Sequence, residues 1–285
     1  MQVERLDSPG ARLFRGRTHD GHVVEFLDAS TPARRVFVLS TLVGCPVRCA
    51  VCDAGGGYKG RLTGDELFAQ VDALAEGLPP APEVTVELTR MGEPAFNAAV
   101  LGFLERLPGH LAPARARALV STVAPAGADA FFEALLDVKA RAWAPGTLAL
   151  QVSLFSTDEA LRRMVVPVKV WPFAAIAAYA RRFVVEGERV TLNVPDAGLP
   201  VDVAHLAASF PPELFRVKLS ALTPTDAAMR FPPGAARDDE ALARALSAHG
   251  FEVEREAPAA AAAARCGSFL SAGLGPSTPR RTRGR

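Results

Sequence analysis

The sequence predicts an α/β protein, an incomplete (β/α)6 barrel with a small N-terminal β-hairpin. Three observations carry this reading. Six short apolar or β-branched runs recur at 36–42, 83–88, 118–122, 148–154, 190–194 and 215–220. Apolar residues between several of them repeat at three- and four-residue spacing, as helices packed on the outside of a parallel sheet do. Residues able to do chemistry stand just past the runs, where α/β barrels build their sites.

Taken in order, 11–27 reads as a hairpin, because Leu13-Phe14 and Val23-Val24 flank the turn dipeptide Asp20-Gly21. The run from Val36 to Val43 reads as one buried strand. Leu67-Val71-Leu74, Val100-Phe103-Leu104-Leu107 and Phe131-Leu135-Val138 are the apolar stripes of outer helices. A last helix over 240–248 leads through His249-Gly250 into Phe251-Glu252-Val253-Glu254, which reads as one more strand. The alanine run 257–264 then reads as a short helix or a mobile hinge, followed by Cys266 and a basic tail. The expected division is 1–30 as hairpin extension, 31–256 as partial barrel and 257–285 as flexible C-terminal segment.

With 49% hydrophobic and 22% charged residues the chain can bury one large core, and no stretch is apolar for long enough to span a bilayer. A net charge of +1 gives no global field to attract nucleic acid, so an RNA partner would need a local patch. Four cysteines are too few for a disulfide-stapled secreted scaffold, and no apolar leader opens the chain. Reduced thiols and a cytoplasmic location are the expectation.

Three of the four cysteines lie in Cys45-Pro46-Val47-Arg48-Cys49-Ala50-Val51-Cys52. Three sulfurs leave one iron of a four-iron cluster open to another ligand. The same clustering also occurs in structural zinc sites whose fourth ligand comes from elsewhere. Past the second run stands Arg90-Met91-Gly92-Glu93-Pro94, where the glycine permits close backbone approach and the glutamate can face an ammonium group. Ser121, Ser153 and Thr223 supply hydroxyls at later strand ends, able to bond a carboxylate or ribose.

These segments, with Ser40-Thr41-Leu42-Val43-Gly44-Cys45, Met91 to Asn97, Val152 to Phe155, Arg162 to Pro167 and Cys266-Gly267-Ser268-Phe269, resemble the radical S-adenosylmethionine (SAM) RNA adenine methyltransferases, the RlmN/Cfr-like family. The resemblance runs from about residue 11 to 271 with the motifs in the family's order. It implies a [4Fe-4S] cluster on Cys45, Cys49 and Cys52 whose open iron chelates SAM. Gly92, Glu93, Pro94, Ser121, Ser153 and Thr223 become cofactor contacts, although the family favours asparagine at the Thr223 position. Cys266 becomes a covalent methyl carrier, from which a 5′-deoxyadenosyl radical takes hydrogen before the carbon adds to adenine. RNA (rRNA or tRNA) is the implied acceptor, and a one-electron reductant such as flavodoxin is the implied donor, to an enzyme expected to be a monomer with no membrane partner.

The pattern breaks in several places. The family's second loose cysteine falls at Val38, which can neither accept a proton nor attack sulfur. Glu25 stands where the family has a glutamate and is the candidate proton acceptor. Val51 and Phe155 replace an expected aromatic and an expected histidine, and the accessory RNA-binding domain of RlmN is not seen ahead of the hairpin. A radical SAM enzyme acting on a small molecule or peptide, or a degenerate paralogue that binds cluster and SAM without catalysis, are the competing readings.

Overall fold

The computed structural model describes residues 1–8, 11–222, 225–232 and 237–255. The chain opens with three antiparallel strands, β1 (Gln2–Ser8), β2 (Ala11–Arg17) and β3 (Val23–Asp28). The expected hairpin is β2–β3. Its turn closes through Thr18 N–H to His22 O at 2.8 Å and Gly21 N–H to Thr18 O at 2.9 Å, with Gly21 at φ +80°. β1 adds an edge strand that charged alternation had concealed.

β3 pairs antiparallel with β4 (Arg35–Val38), which starts the parallel part of the sheet. The single strand expected over 36–42 is divided here. Beyond Val38 the Ser40 N–H goes to Gln70 Oε1, and the Gln70 amide returns a bond to Ser40 O, both at 3.0 Å. The side chain thus replaces a neighbouring strand, and the chain turns out of the main sheet. It continues as β5 (Leu42–Cys45), paired with β6 (Gly56–Arg61) in a separate two-stranded sheet.

Seven parallel strands then lie side by side in chain order. After β4 and the helix α1 (Gly64–Ala75) come β7 (Glu83–Leu88), α2 (Ala99–Leu111), β8 (Arg115–Thr122), α3 (Asp129–Ala142) and β9 (Leu148–Ser153). They continue through α4 (Glu159–Val165), α5 (Phe173–Phe183), β10 (Val190–Pro195), α6 (Val203–Ser209), β11 (Phe215–Ser220), α7 (Asp226–Arg230), α8 (Asp239–Ala248) and β12 (Glu252–Arg255). Among the described residues β1 and β12 are the two edges of the sheet, and β12 is the additional strand that the sequence suggested.

Strand alternation divides the sheet into two faces. Val86, Val120, Leu150, Leu192 and Val217 point to the helix layer, where they meet the stripes Leu67-Val71-Leu74, Val100-Phe103-Leu104-Leu107 and Phe131-Leu135-Val138, all buried. Each such side chain contributes about 1.5–3 kcal/mol by leaving water, so this interface dominates the fold's stability. The alternate positions carry Glu25, Glu87, Ser121, Gln151, Ser153 and Asn193, a polar face without an apolar partner layer. Val38 belongs to that second face, in a small cluster with Leu13, Leu27 and Val36. Thr223, Cys266 and the proposed 257–285 segment lie outside the described residues.

Candidate active site

Cys45 ends β5, and Cys49 and Cys52 follow in the loop before β6. The loop is therefore carried on its own hairpin, not on the end of a main-sheet strand. Local bonds shape it, with Cys52 N–H to Cys49 O at 3.1 Å and Gly55 N–H to Cys52 O at 3.0 Å. A Cβ at Gly55 would stand 2.9 Å from Cys52 O and 3.0 Å from Arg48 Cα, so the loop closes only over glycine.

Later elements clamp the loop from outside. Ala50 N–H bonds Val165 O at the end of α4 at 2.8 Å. Asp53 accepts from the N–H groups of Asp226 and Ala227 at 3.1 and 2.7 Å, and Thr225 Oγ1 donates to Val51 O at 3.2 Å. Val47 and Val51 pack with Val165, Val166 and Phe155 into a second apolar cluster, against which Cys45 and Cys49 rest. The two departures Val51 and Phe155 thus belong to one apolar cluster.

Burial pushes the Cys45 thiol up to about 12 and raises Cys49 as well, and the charges of the neighbouring cysteines and of Glu93 add to both shifts. Without a metal these sulfurs are thiols, and ligation must displace their protons. Among the described residues, no three or more His, Cys, Asp or Glu side chains are grouped to hold a single metal ion. Three thiolates on one loop would leave one iron of a four-iron cluster, or one corner of a zinc tetrahedron, for another ligand.

The second motif lies against this hairpin. Thr41 and Leu42 N–H groups both bond Met91 O, at 2.8 and 3.2 Å. Gly92 has φ +109°, and a Cβ there would meet Leu42 Cβ and Thr41 Oγ1 at 2.7 Å. Thr41 Oγ1 is buried without a hydrogen-bond partner. An unsatisfied hydroxyl beside a bare glycine backbone is a cradle suited to a polar ligand end such as an amino acid group.

Glu93 is buried, and both of its oxygens are engaged. Thr122 Oγ1 donates to Oε1 at 2.6 Å, Ala95 N–H to Oε1 at 3.1 Å and Val123 N–H to Oε2 at 2.9 Å. Burial nevertheless lifts its pKa to about 7. Its side chain joins the β7 loop to the end of β8. Pro94 opens a 3-10 turn over Pro94–Phe96 that Asn97 caps. Asn97 Nδ2 donates to Thr41 O and Leu62 O, both at 2.8 Å, and Oδ1 accepts from Ala99 N–H at 3.1 Å.

The remaining expected residues fall on the polar face or beside it. Ser121 and Ser153 are half-buried at the ends of β8 and β9, and Gln151 Nε2 donates to Ser121 Oγ at 3.0 Å. Glu25 is fully buried and accepts from Arg90 Nη2 at 3.0 Å. Arg162, for which the sequence offered no role, is 1% exposed; Nη1 donates to Trp171 O at 2.9 Å and Nη2 to Val123 O at 3.2 Å. Burial brings its pKa down to about 10. It ties α4 to the same Val123 whose N–H holds Glu93.

No protein-family model matches the chain. A probable dual-specificity RNA methyltransferase RlmN of Gemmatimonas aurantiaca is 30% identical over 290 residues, covering 98% of this chain and 77% of the relative. The chain belongs to the RlmN/Cfr-like family. The RlmN of a Synechococcus species is also 30% identical, over 73% of this chain and 60% of its own length. A radical SAM methyltransferase from Sphaerobacter thermophilus shares the fold with a TM-score of 0.73 and 25% identity, over 94% of this chain and 80% of that one. Spore photoproduct lyase, at TM-score 0.55 and 13% identity, shares the fold alone. An RlmN/Cfr-like chain is a radical SAM enzyme resembling the RNA methyltransferases, and no helix among the described residues is long and apolar enough to cross a membrane.

Proposed function

We propose that the protein binds a [4Fe-4S] cluster through Cys45, Cys49 and Cys52, binds SAM beside it, and transfers a methyl-derived carbon through Cys266 to an RNA adenine. The observation that carries this reading is the direct apposition of the cysteine hairpin and the Gly92-Glu93-Pro94 loop through Thr41, Leu42 and Met91. When bound, the cluster supplies the electron that cleaves SAM. The chain's own part is to orient and to exclude water. Gly92 lets the loop pack against Thr41 and Leu42, Glu93 fixes that backbone to β8, and Ser121 and Ser153 offer hydroxyls on the polar face. Val47, Val51, Phe155 and Val165 wall the site against solvent. RNA as acceptor is supported by the RlmN relatives. Cys266, Thr223 and a base role for Glu25 remain part of the proposal.

Anaerobic turnover with methyl-labelled SAM and RNA tests it. Label on the Cys266 peptide and then on adenine is the expected result. Label that reaches neither, in protein carrying its iron, would refute the carrier role, and zinc in place of iron would refute the cluster.

A further inference from the structure

Gln151 is a buried polar side chain inside a strand, where an amide needs partners. It stands on the polar face of β9, and its register neighbour on β8 is Ser121. Gln151 Nε2 donates to Ser121 Oγ at 3.0 Å. A serine hydroxyl has one proton to give and two lone pairs to fill. With the amide donor on one lone pair, the Ser121 proton points away from Gln151, and among the described residues it meets no acceptor.

Ser220, on the same face, has the opposite polarity. Its Oγ donates to Asn193 Oδ1 at 2.9 Å, so its proton is already spent. Ser121 thus keeps its proton where Ser220 does not. It also precedes Thr122, whose hydroxyl anchors Glu93, and so stands at the strand end to which the Gly92-Glu93-Pro94 loop is tied.

We infer that Gln151 is a positioning residue for SAM: by filling one lone pair of Ser121 it makes that hydroxyl a fixed donor to an oxygen of the cofactor, on its carboxylate or ribose. The inference rests on the reading of Ser121 as a cofactor contact. Gln151 acts only through the serine, and no covalent bond forms or breaks. The gain is preorganisation, since a hydroxyl already held in its binding orientation gives up no alternatives when the ligand arrives. An ionised carboxylate at position 151 would reverse the polarity, because it only accepts and would draw the Ser121 proton to itself.

Calorimetric titration of SAM into the reconstituted, unreduced protein reads affinity without turnover. Ser121→Ala is introduced into the native protein, into Gln151→Met and into Gln151→Glu. Its expected cost in affinity is roughly tenfold in the native protein, about threefold with methionine at 151 and under about twofold with glutamate there, where the hydroxyl is already spent. The charge that Gln151→Glu brings near the sulfonium is present with and without the serine, so it cancels from the comparison. Urea unfolding of the metal-free proteins identifies a background that fails to fold, and the other background still decides. The same cost of Ser121→Ala in every background would overturn the inference and leave Ser121 as a contact in its own right. No cost in the native protein would show that the serine does not touch SAM, and the inference would fall with that reading.

Discussion

Asn97 offers the sharpest test of how the site is assembled. Its side chain is 1% exposed and makes three hydrogen bonds, two donated to carbonyls at either end of the cysteine hairpin and one accepted from the first N–H of α2. Asn97→Ala removes all three. Leu62 O loses its side-chain donor, at about 1–3 kcal/mol, whereas Thr41 O keeps the Leu62 N–H at 3.2 Å and loses one bond of about 0.5–1.5 kcal/mol, as does the Ala99 N–H. The loop can relax around the gap, so about 2–3 kcal/mol is the expected total. Asn97→Asp discriminates further. It keeps the acceptor for Ala99 but turns an oxygen toward Thr41 O and Leu62 O, so it should cost more than alanine despite its matching shape. Urea unfolding of the reduced, metal-free protein measures both variants. A cost below 1 kcal/mol for Asn97→Ala, or an aspartate variant more stable than the alanine one, would refute the reasoning.

Cys49→Ala should reduce iron from roughly four atoms per chain to near background, measured by iron and sulfide assay after anaerobic reconstitution. Glu93 gives a pH test. Its carboxyl is raised from an ordinary 4.5 to about 7, so the folded state keeps a proton that the unfolded chain releases between these values. Stability from this group is complete below 4.5 and is lost as pH rises through about 7; the stability difference between native protein and Glu93→Gln should therefore fall by about 3 kcal/mol between mildly acidic and mildly alkaline buffer. A pH-independent difference would place the group's proton elsewhere. Arg162→Met strips two carbonyls of their donors and should destabilise by about 2–4 kcal/mol in urea titration, with Arg162→Lys falling between it and the native protein.

What the sequence disclosed follows the range of the interactions involved. The strands at 83–88, 148–153, 190–195 and 215–220 were legible because β-branched runs bounded by polar turns are local signals. The three cysteines and Gly92 were legible for the same reason, since spacing and a bare backbone are written within a few residues. The break after Val38 was not, because the group that ends the strand is Gln70, thirty-two residues further on in the sequence. Asn97 and Arg162 stand in segments that carry the resemblance, but their roles were not legible, each acting on carbonyls supplied by distant segments. Glu93 was legible as a carboxylate beside a glycine, but not its protein partners; three donors from Ala95, Thr122 and Val123 converge on it, and only the fold brings the last two within reach.

The valine at position 38 now has a physical setting. Its side chain closes an apolar cluster with Leu13, Leu27 and Val36, and its register partner across the sheet is Glu87. Leu27 pairs with Val38, and Glu25 lies two residues from Leu27 on the same face of β3. Where the family mechanism has a thiol, this face carries packed methyl groups flanked by two carboxylates. One oxygen of Glu25 accepts from Arg90, so a proton taken by Glu25 would weaken a buried ion pair. A base role for Glu25 thus couples proton uptake to Arg90, one residue from the Met91 carbonyl that holds the cysteine hairpin. Product release without a second cysteine would then depend on a charge pair seated at the junction of the two cofactor-binding motifs.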